Sequence, residues 1–101
     1  MKAPPYSIGA EYWPGLTKLG EEAAEVIQVI FKLMAMDGPE NYDHWDGTDL
    51  KDRLTEEVGD VWAAISFVLK YTDLNIDAVG ARMREKLATY ERWHAEQKEQ
   101  T

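Results

Sequence analysis

The chain has 101 residues, enough for one domain with a single modest core. Its 19 acidic residues outnumber its 11 Lys and Arg, which gives a net charge of −8. Proteins that bind nucleic acids normally present a basic face, so we expect no nucleic acid as a partner. No apolar stretch is long enough for a membrane span, so we expect no membrane partner. The N-terminus lacks the apolar core of a signal peptide, and we therefore expect a cytoplasmic protein. Because cysteine is absent, the chain forms no disulfide and no thiolate metal site.

The N-terminal half predicts an arm, a helix and a loop. Residues 1–12 contain prolines and a glycine and predict an irregular arm. Apolar residues recur with a helical period from Leu16 to Met36, and Pro14 is placed at or near the first helical position. Residues 37–48 are polar and rich in turn formers, so they predict a loop.

A second helix is predicted from about Leu50 to Lys70 or Tyr71. Its apolar residues again recur with a helical period. Either Thr48 or Asp49 can cap its N-terminus, because both side chains accept a hydrogen bond from the first helical turn.

A third helix is predicted from Ile76 to roughly Glu96, with Asn75 as its cap and residues 97–101 as a frayed tail. Strand patterns are absent, so the fold class is all-α, a bundle of three main helices in one domain over 1–101. Three such helices bury a thin core. We therefore expect a homodimer or homotetramer to cover the remaining apolar positions.

Two pairs of acidic residues carry the functional signal. Glu22 and Glu25 on the first helix, and Glu57 and Asp60 on the second, are three residues apart and share a helical face. Each pair borders an apolar stripe, so two packed antiparallel helices would bring all four together. Like charges at this spacing destabilise a helix by about 0.2–0.5 kcal/mol per pair. A hard divalent cation between the helices, Mg²⁺, Mn²⁺ or Ca²⁺, would relieve that repulsion.

Other interpretations of these acids stay open. Acidic residues on helices are usually solvated and bind nothing. A di-iron bundle would use repeated Glu-x-x-His motifs, but Glu91 and His94 form the single occurrence here, so the sequence disfavours it. The loop acids Asp43 and Asp46 lack the alternation of an EF-hand and are interpreted as turn residues.

The acidic motifs resemble a known family. Glu-Glu-x-x-Glu at residues 21–25 followed by Glu-x-x-Asp at residues 57–60 is similar to the signature of the MazG-like, all-α nucleoside triphosphate pyrophosphohydrolases. The resemblance extends from about Leu16 to Tyr90. It implies hydrolysis between the α- and β-phosphates that depends on Mg²⁺, or on Mn²⁺, and that yields a nucleoside monophosphate and pyrophosphate.

The resemblance also implies roles for individual residues. Matched by motif, the metal ligands would be Glu22, Glu25, Glu57 and Asp60. Glu21 would bind a second metal ion or position the attacking water. These five residues form the implied catalytic set.

Phosphate contacts are implied on the third helix. Lys86 matches a family lysine there, whereas Arg82 stands one turn earlier where the family carries an asparagine. Long side chains that cover the edge of a core would give the same pattern. Lys18, one turn before Glu22, is a further phosphate candidate or an ion-pair partner of that carboxylate. The segment between the two acidic motifs is longer than in the family, and the predicted loop accounts for this.

Aromatic residues outside the predicted helices are candidates for stacking on a base. These are Trp13 and Trp45, the latter beside His44. The alternative is that they cover the ends of the bundle. Trp62 is expected in the core, and Trp93 in the core or at a subunit interface.

Two other functions stay open. One is a helical interaction module, antitoxin-like or regulatory, that keeps the bundle without activity. The complete acid set argues against it, because an inactive chain would be free to lose Glu25 or Asp60. The other is a structural bundle that binds a metal ion without turnover.

Overall fold

A computed structural model describes residues 13–36 and 46–100 of the chain. Within these ranges the protein is all-α, as predicted, and no strand is present. The three helices are α1 (Leu16–Met34), α2 (Leu50–Tyr71) and α3 (Ile76–Glu99). None of the described helices combines the length and apolar character needed to cross a membrane. The predicted arm over 1–12 and most of the predicted loop lie outside the described residues.

Helix α1 begins at a glycine in a left-handed conformation. Gly15, the N-cap, has φ of 88° and ψ of −12°. Pro14 therefore lies two residues ahead of Leu16, the first helical residue, and not within the helix. A β-carbon on Gly15 would lie 2.6 Å from Cδ1 of Phe67, so the start of α1 sits directly against α2.

Side-chain caps set where α2 and α3 begin, as the sequence predicts. Asp49 accepts a hydrogen bond from the backbone N–H of Asp52 at 3.0 Å. Asn75 accepts one from the backbone N–H of Ala78, also at 3.0 Å. Each cap satisfies an amide that has no partner within the helix.

The far ends of two helices differ from the predicted ends. Helix α1 ends at Met34, two residues before the predicted Met36. Helix α3 continues to Glu99, through most of the segment predicted to fray. Residues 95–99 are all good helix formers, and no glycine or proline ends the helix there.

Helices α1 and α2 pack as an antiparallel hairpin, because the start of α1 lies against the end of α2. Among the described residues, the buried apolar side chains come from this hairpin and its edge: Val29, Leu50, Ala64 and Val68. Helix α3 makes at most marginal contact with α1 or α2 and contains no buried residue. Within one chain, then, the described helices form a packed hairpin and an uncovered third helix.

Two predictions about tryptophans are tested by this packing. The prediction that Trp62 lies in the core is wrong. Its side chain is 73% exposed, because α1 does not cover that side of α2. Trp93 lies on the uncovered helix α3 and is also exposed. The helical period identifies such residues as apolar, but not which neighbour covers them.

Gly15→Ala is expected to destabilise the fold more than the matched change Gly47→Ala. Both glycines have a left-handed φ, 88° and 86°, so both substitutions strain the backbone. Among the described residues, a neighbouring side chain lies against Gly15, whereas a β-carbon on Gly47 would meet no atom within 4 Å. We expect an extra loss of about 1–3 kcal/mol at Gly15 from overpacking, measured by urea unfolding. Equal losses in the two variants would contradict the close contact with Phe67.

Candidate metal centre

Four carboxylates from α1 and α2 converge in the hairpin. One oxygen atom from each lies within 4.8 Å of the others; the residues are Glu22, Glu25, Glu57 and Asp60. The first three are half-buried and Asp60 is exposed. The structure thus brings together the four acids that the antiparallel packing of two helices is expected to join.

The apolar packing of the hairpin forces the acids into this position. Glu22 lies seven residues before the buried Val29, and Glu57 lies seven residues before the buried Ala64. Seven residues are two helical turns, so each glutamate shares its face with a core residue. When those faces meet, the glutamates meet as well.

The central glutamates are incompletely satisfied. Oε2 of Glu22 and Oε2 of Glu57 are buried and have no hydrogen-bond partner among the described residues. An unpaired buried polar atom is costly, so a proton, a cation or a water bound at these two oxygens would be stabilising.

Both glutamates hold their protons more tightly than an ordinary carboxyl group. Partial removal from water is the largest cause that raises the pKa of Glu22 above 4.5, followed by the negative charges of Glu25 and Asp60. Desolvation also contributes most to the raised pKa of Glu57, followed by a hydrogen bond that its protonated carboxyl group donates to Glu25 and by the negative charge of Glu25. The site therefore favours any change that lowers its negative charge.

The donor set fits a hard divalent cation. All four groups are carboxylates, the ligands that Mg²⁺, Mn²⁺ and Ca²⁺ prefer. Opposite ligands in an octahedral Mg²⁺ shell lie about 4.2 Å apart, and in a Ca²⁺ shell about 5 Å apart. The 4.8 Å spread of the oxygens is close to both values, and a small rotation of the side chains would reach the shorter one.

Glu21 lies outside the four-carboxylate cluster. Its carboxylate forms an ion pair with Lys18 at 3.2 Å and is about half exposed. Lys18 therefore pairs with Glu21 and not with Glu22, the partner that the sequence suggests. Glu21 lies close to the cluster because it is adjacent to Glu22 in the chain, but it is not one of the four clustered carboxylates.

An open pocket of about 280 Å³ adjoins the carboxylates. Its lining consists of Lys18, Glu22, Asp60, Ala63, Ala64 and Phe67. The two alanines and the phenylalanine are not found by the sequence reasoning, because they carry no catalytic group. Their spacing is nevertheless a usable signal: they follow Asp60 by three, four and seven residues, which places them on the same side of α2.

Trp13, Arg82 and Lys86, the other predicted substrate-binding residues that the structure describes, are not part of this pocket's lining. Trp13 is partly exposed just before α1. Arg82 and Lys86 lie on α3, which does not pack on the hairpin, and Arg82 pairs with Glu85 at 2.8 Å. The role of these two residues in phosphate binding therefore stays a prediction. His44 and Trp45 lie outside the described residues.

Comparison with known proteins finds no matching family model, no similar curated protein and no similar solved structure. The function must therefore be argued from the residues of the site. Two features are available for this: the sequence spacing of the acids and their convergence in the hairpin.

The pKa values predict how the metal-free protein responds to pH. Since the folded pKa of Glu22 and Glu57 lies above 4.5, the folded chain binds more protons than the unfolded chain between the two values. The contribution of these groups to stability is present at low pH and is lost as the pH rises through the folded pKa.

We expect Glu57→Gln to flatten this pH dependence, because the amide cannot ionise. The measurement is the free energy of unfolding in EDTA at several pH values from about 4 to 8. Glu56→Gln is the matched control, since Glu56 is the exposed neighbour on the same helix. If the Glu57→Gln profile had the slope of the wild type, the proposed electrostatic origin would be wrong.

Proposed function

We propose that this protein is a MazG-like nucleoside triphosphate pyrophosphohydrolase that depends on Mg²⁺ or Mn²⁺ and releases a nucleoside monophosphate and pyrophosphate. The observation that carries the proposal is the convergence of all four acids of the two motifs within 4.8 Å. The buried oxygens of Glu22 and Glu57 support it further, because they have no hydrogen-bond partner within residues 13–36 and 46–100 and a cation would satisfy them.

The cluster residues would hold the metal ion, and Glu21 would serve the attacking water. A bound divalent ion neutralises phosphate charge and lowers the pKa of a coordinated water. Glu21 is close to the site but outside the four-carboxylate set, so its carboxylate is free of the proposed ligand role. It is the group we assign to orienting that water or accepting its proton, with Lys18 at 3.2 Å holding it in place.

The pocket beside the cluster would receive the rest of the nucleotide. Lys18 is the cation in its lining and would contact a phosphate close to the carboxylates. Phe67, Ala63 and Ala64 provide apolar walls against which a base or sugar can lie. The pocket therefore offers a phosphate end and an apolar end within one α1–α2 hairpin.

The setting proposed for this activity is the cytoplasm, with the chain acting as a homodimer or homotetramer. The exposed apolar side of α3 supports an assembly of some kind. The same exposure favours a second candidate function, a non-catalytic helical interaction or regulatory module that retains the fold.

The direct test is product analysis on a panel of ribo- and deoxyribonucleoside triphosphates with Mg²⁺, Mn²⁺ or EDTA. We expect monophosphate and pyrophosphate in the metal-containing reactions only. Release of diphosphate and orthophosphate would show cleavage of a different bond. If no triphosphate is turned over, the binding module is favoured; a metal-dependent rise in melting temperature without turnover would instead favour a structural metal site.

Glu57→Gln and Asp60→Asn are expected to reduce turnover by at least about 100-fold, equivalent to about 2.7 kcal/mol in the activation barrier. Each change removes a negatively charged ligand while preserving side-chain volume. Glu56→Gln, the exposed neighbour, should retain activity. Circular dichroism of all three variants would show that helix content is preserved. Wild-type rates in Glu57→Gln or Asp60→Asn would exclude the proposed metal site.

A further inference from the structure

The side chain of Phe67 forms the part of the pocket wall that is farthest from Asp60 along α2. Phe67 follows Asp60 by seven residues, so the two lie about 10 Å apart along the helix axis. Both line the pocket, together with Ala63 and Ala64 between them. A triphosphate whose phosphates lie at the carboxylates would therefore extend its nucleoside along the alanines towards the Phe67 ring.

The backbone at the start of α1 lies against the Phe67 ring. A β-carbon on Gly15 would be 2.6 Å from Cδ1 and 3.1 Å from Cε1 of Phe67. The same β-carbon would be 3.2 Å from Cγ2 of Val68, which is buried. The carbonyl oxygen of Gly15 accepts a hydrogen bond from the backbone N–H of Leu19 at 2.9 Å, which ties this backbone to α1. The ring therefore cannot move towards α1 without meeting a fixed stretch of backbone.

A second aromatic ring packs on Phe67 from the last turn of α2. The ring centroids of Phe67 and Tyr71 are 4.5 Å apart, with an angle of 34° between the ring planes. This separation is at the short end of the range of about 4.5–7 Å for aromatic pairs. The ammonium group of Lys70 lies 5.4 Å from the centroid of the Tyr71 ring, within the range of a cation–π contact. Two separate elements thus restrict the Phe67 ring.

Tyr71 is not a core residue, since its side chain is 53% exposed. Its contact with Phe67 therefore matters more for the pocket than for burial of apolar surface. A side chain that is mobile in the free protein loses rotational freedom when a ligand orders it, and this loss weakens binding. A ring that is already held in place avoids the loss, so Phe67 is prepared to receive a ligand.

We infer that Gly15 and Tyr71 are positioning residues that hold the Phe67 ring as a fixed wall for the nucleoside of the substrate, an inference that rests on the proposed function. Neither residue lines the pocket, so each acts through Phe67. The ring is two helical turns from Asp60, and its position therefore affects binding of the nucleoside rather than the step at the phosphates. A change that raises KM and leaves kcat unaltered is the kinetic sign of such a role.

The first test compares Tyr71→Leu with Tyr71→Phe in steady-state hydrolysis of the best triphosphate of the panel with Mg²⁺. We expect Tyr71→Leu to raise KM about 3- to 10-fold and to keep kcat within about twofold of the wild type. Tyr71→Phe retains an aromatic ring at this position and should have the wild-type KM. Tyr90→Leu is the matched control, because Tyr90 is also 53% exposed and pairs with Trp93 at 5.8 Å, but on α3.

The second test measures the ring itself, in EDTA and without substrate. Fluorophenylalanine is incorporated at position 67 alone, and ¹⁹F NMR relaxation reports how freely the ring moves. We expect restricted motion in the wild type, Tyr71→Phe and Tyr90→Leu, and freer motion in Tyr71→Leu. Gly15→Ala should change the ¹⁹F chemical shift because its β-carbon displaces the ring. Gly47→Ala, at the other described glycine with a left-handed φ, should leave that shift unchanged.

The possible failures separate this inference from the proposed function. An active Tyr71→Leu enzyme with the wild-type KM would overturn the positioning role and leave the proposed function standing. A raised KM that Tyr71→Phe does not restore, or a wild-type ring that moves as freely as the ring in Tyr71→Leu, would overturn it in the same way. Absence of turnover in the wild type, with ring motion still restricted, would overturn the proposed function and with it the role of Phe67 towards a nucleoside.

Discussion

The packing of α1 against α2 is the constraint on which the rest of this structure depends. Val29 and Ala64 lie in the apolar contact, and Glu22 and Glu57 precede them by two helical turns on the same faces. Burying the apolar residues therefore also draws the carboxylates together. The free energy of apolar burial holds the negative charges close to one another, against their repulsion.

This arrangement connects stability to occupancy of the centre. Both central glutamates have a buried oxygen without a hydrogen-bond partner in the described part of the chain, and both have a raised pKa because they are partly desolvated beside other acids. A proton relieves the repulsion by neutralising one carboxylate, whereas a divalent cation relieves it by attracting several carboxylates at once. Under the proposed function, the repulsion between carboxylates that destabilises the metal-free hairpin would favour binding of the metal ion and its triphosphate.

The two sides of the hairpin differ in chemical character. One side carries the carboxylates and the pocket lined by Lys18 and Phe67. The other side carries exposed apolar side chains, among them Val58 and Trp62. Because α3 contributes no buried residue within the chain, the proposed chemistry depends on α1 and α2.

The sequence by itself determined the helices and the pairing of the acids along them. Asp49 and Asn75 are caps recognisable by residue type, and the spacing of Glu22 and Glu25 is a local property of one helix. Only the tertiary structure decided that Glu21 stays outside the cluster, that Phe67 lines a pocket and that Trp62 is exposed. Helical periodicity states which residues share a face, but which faces meet depends on contacts between residues far apart in the chain.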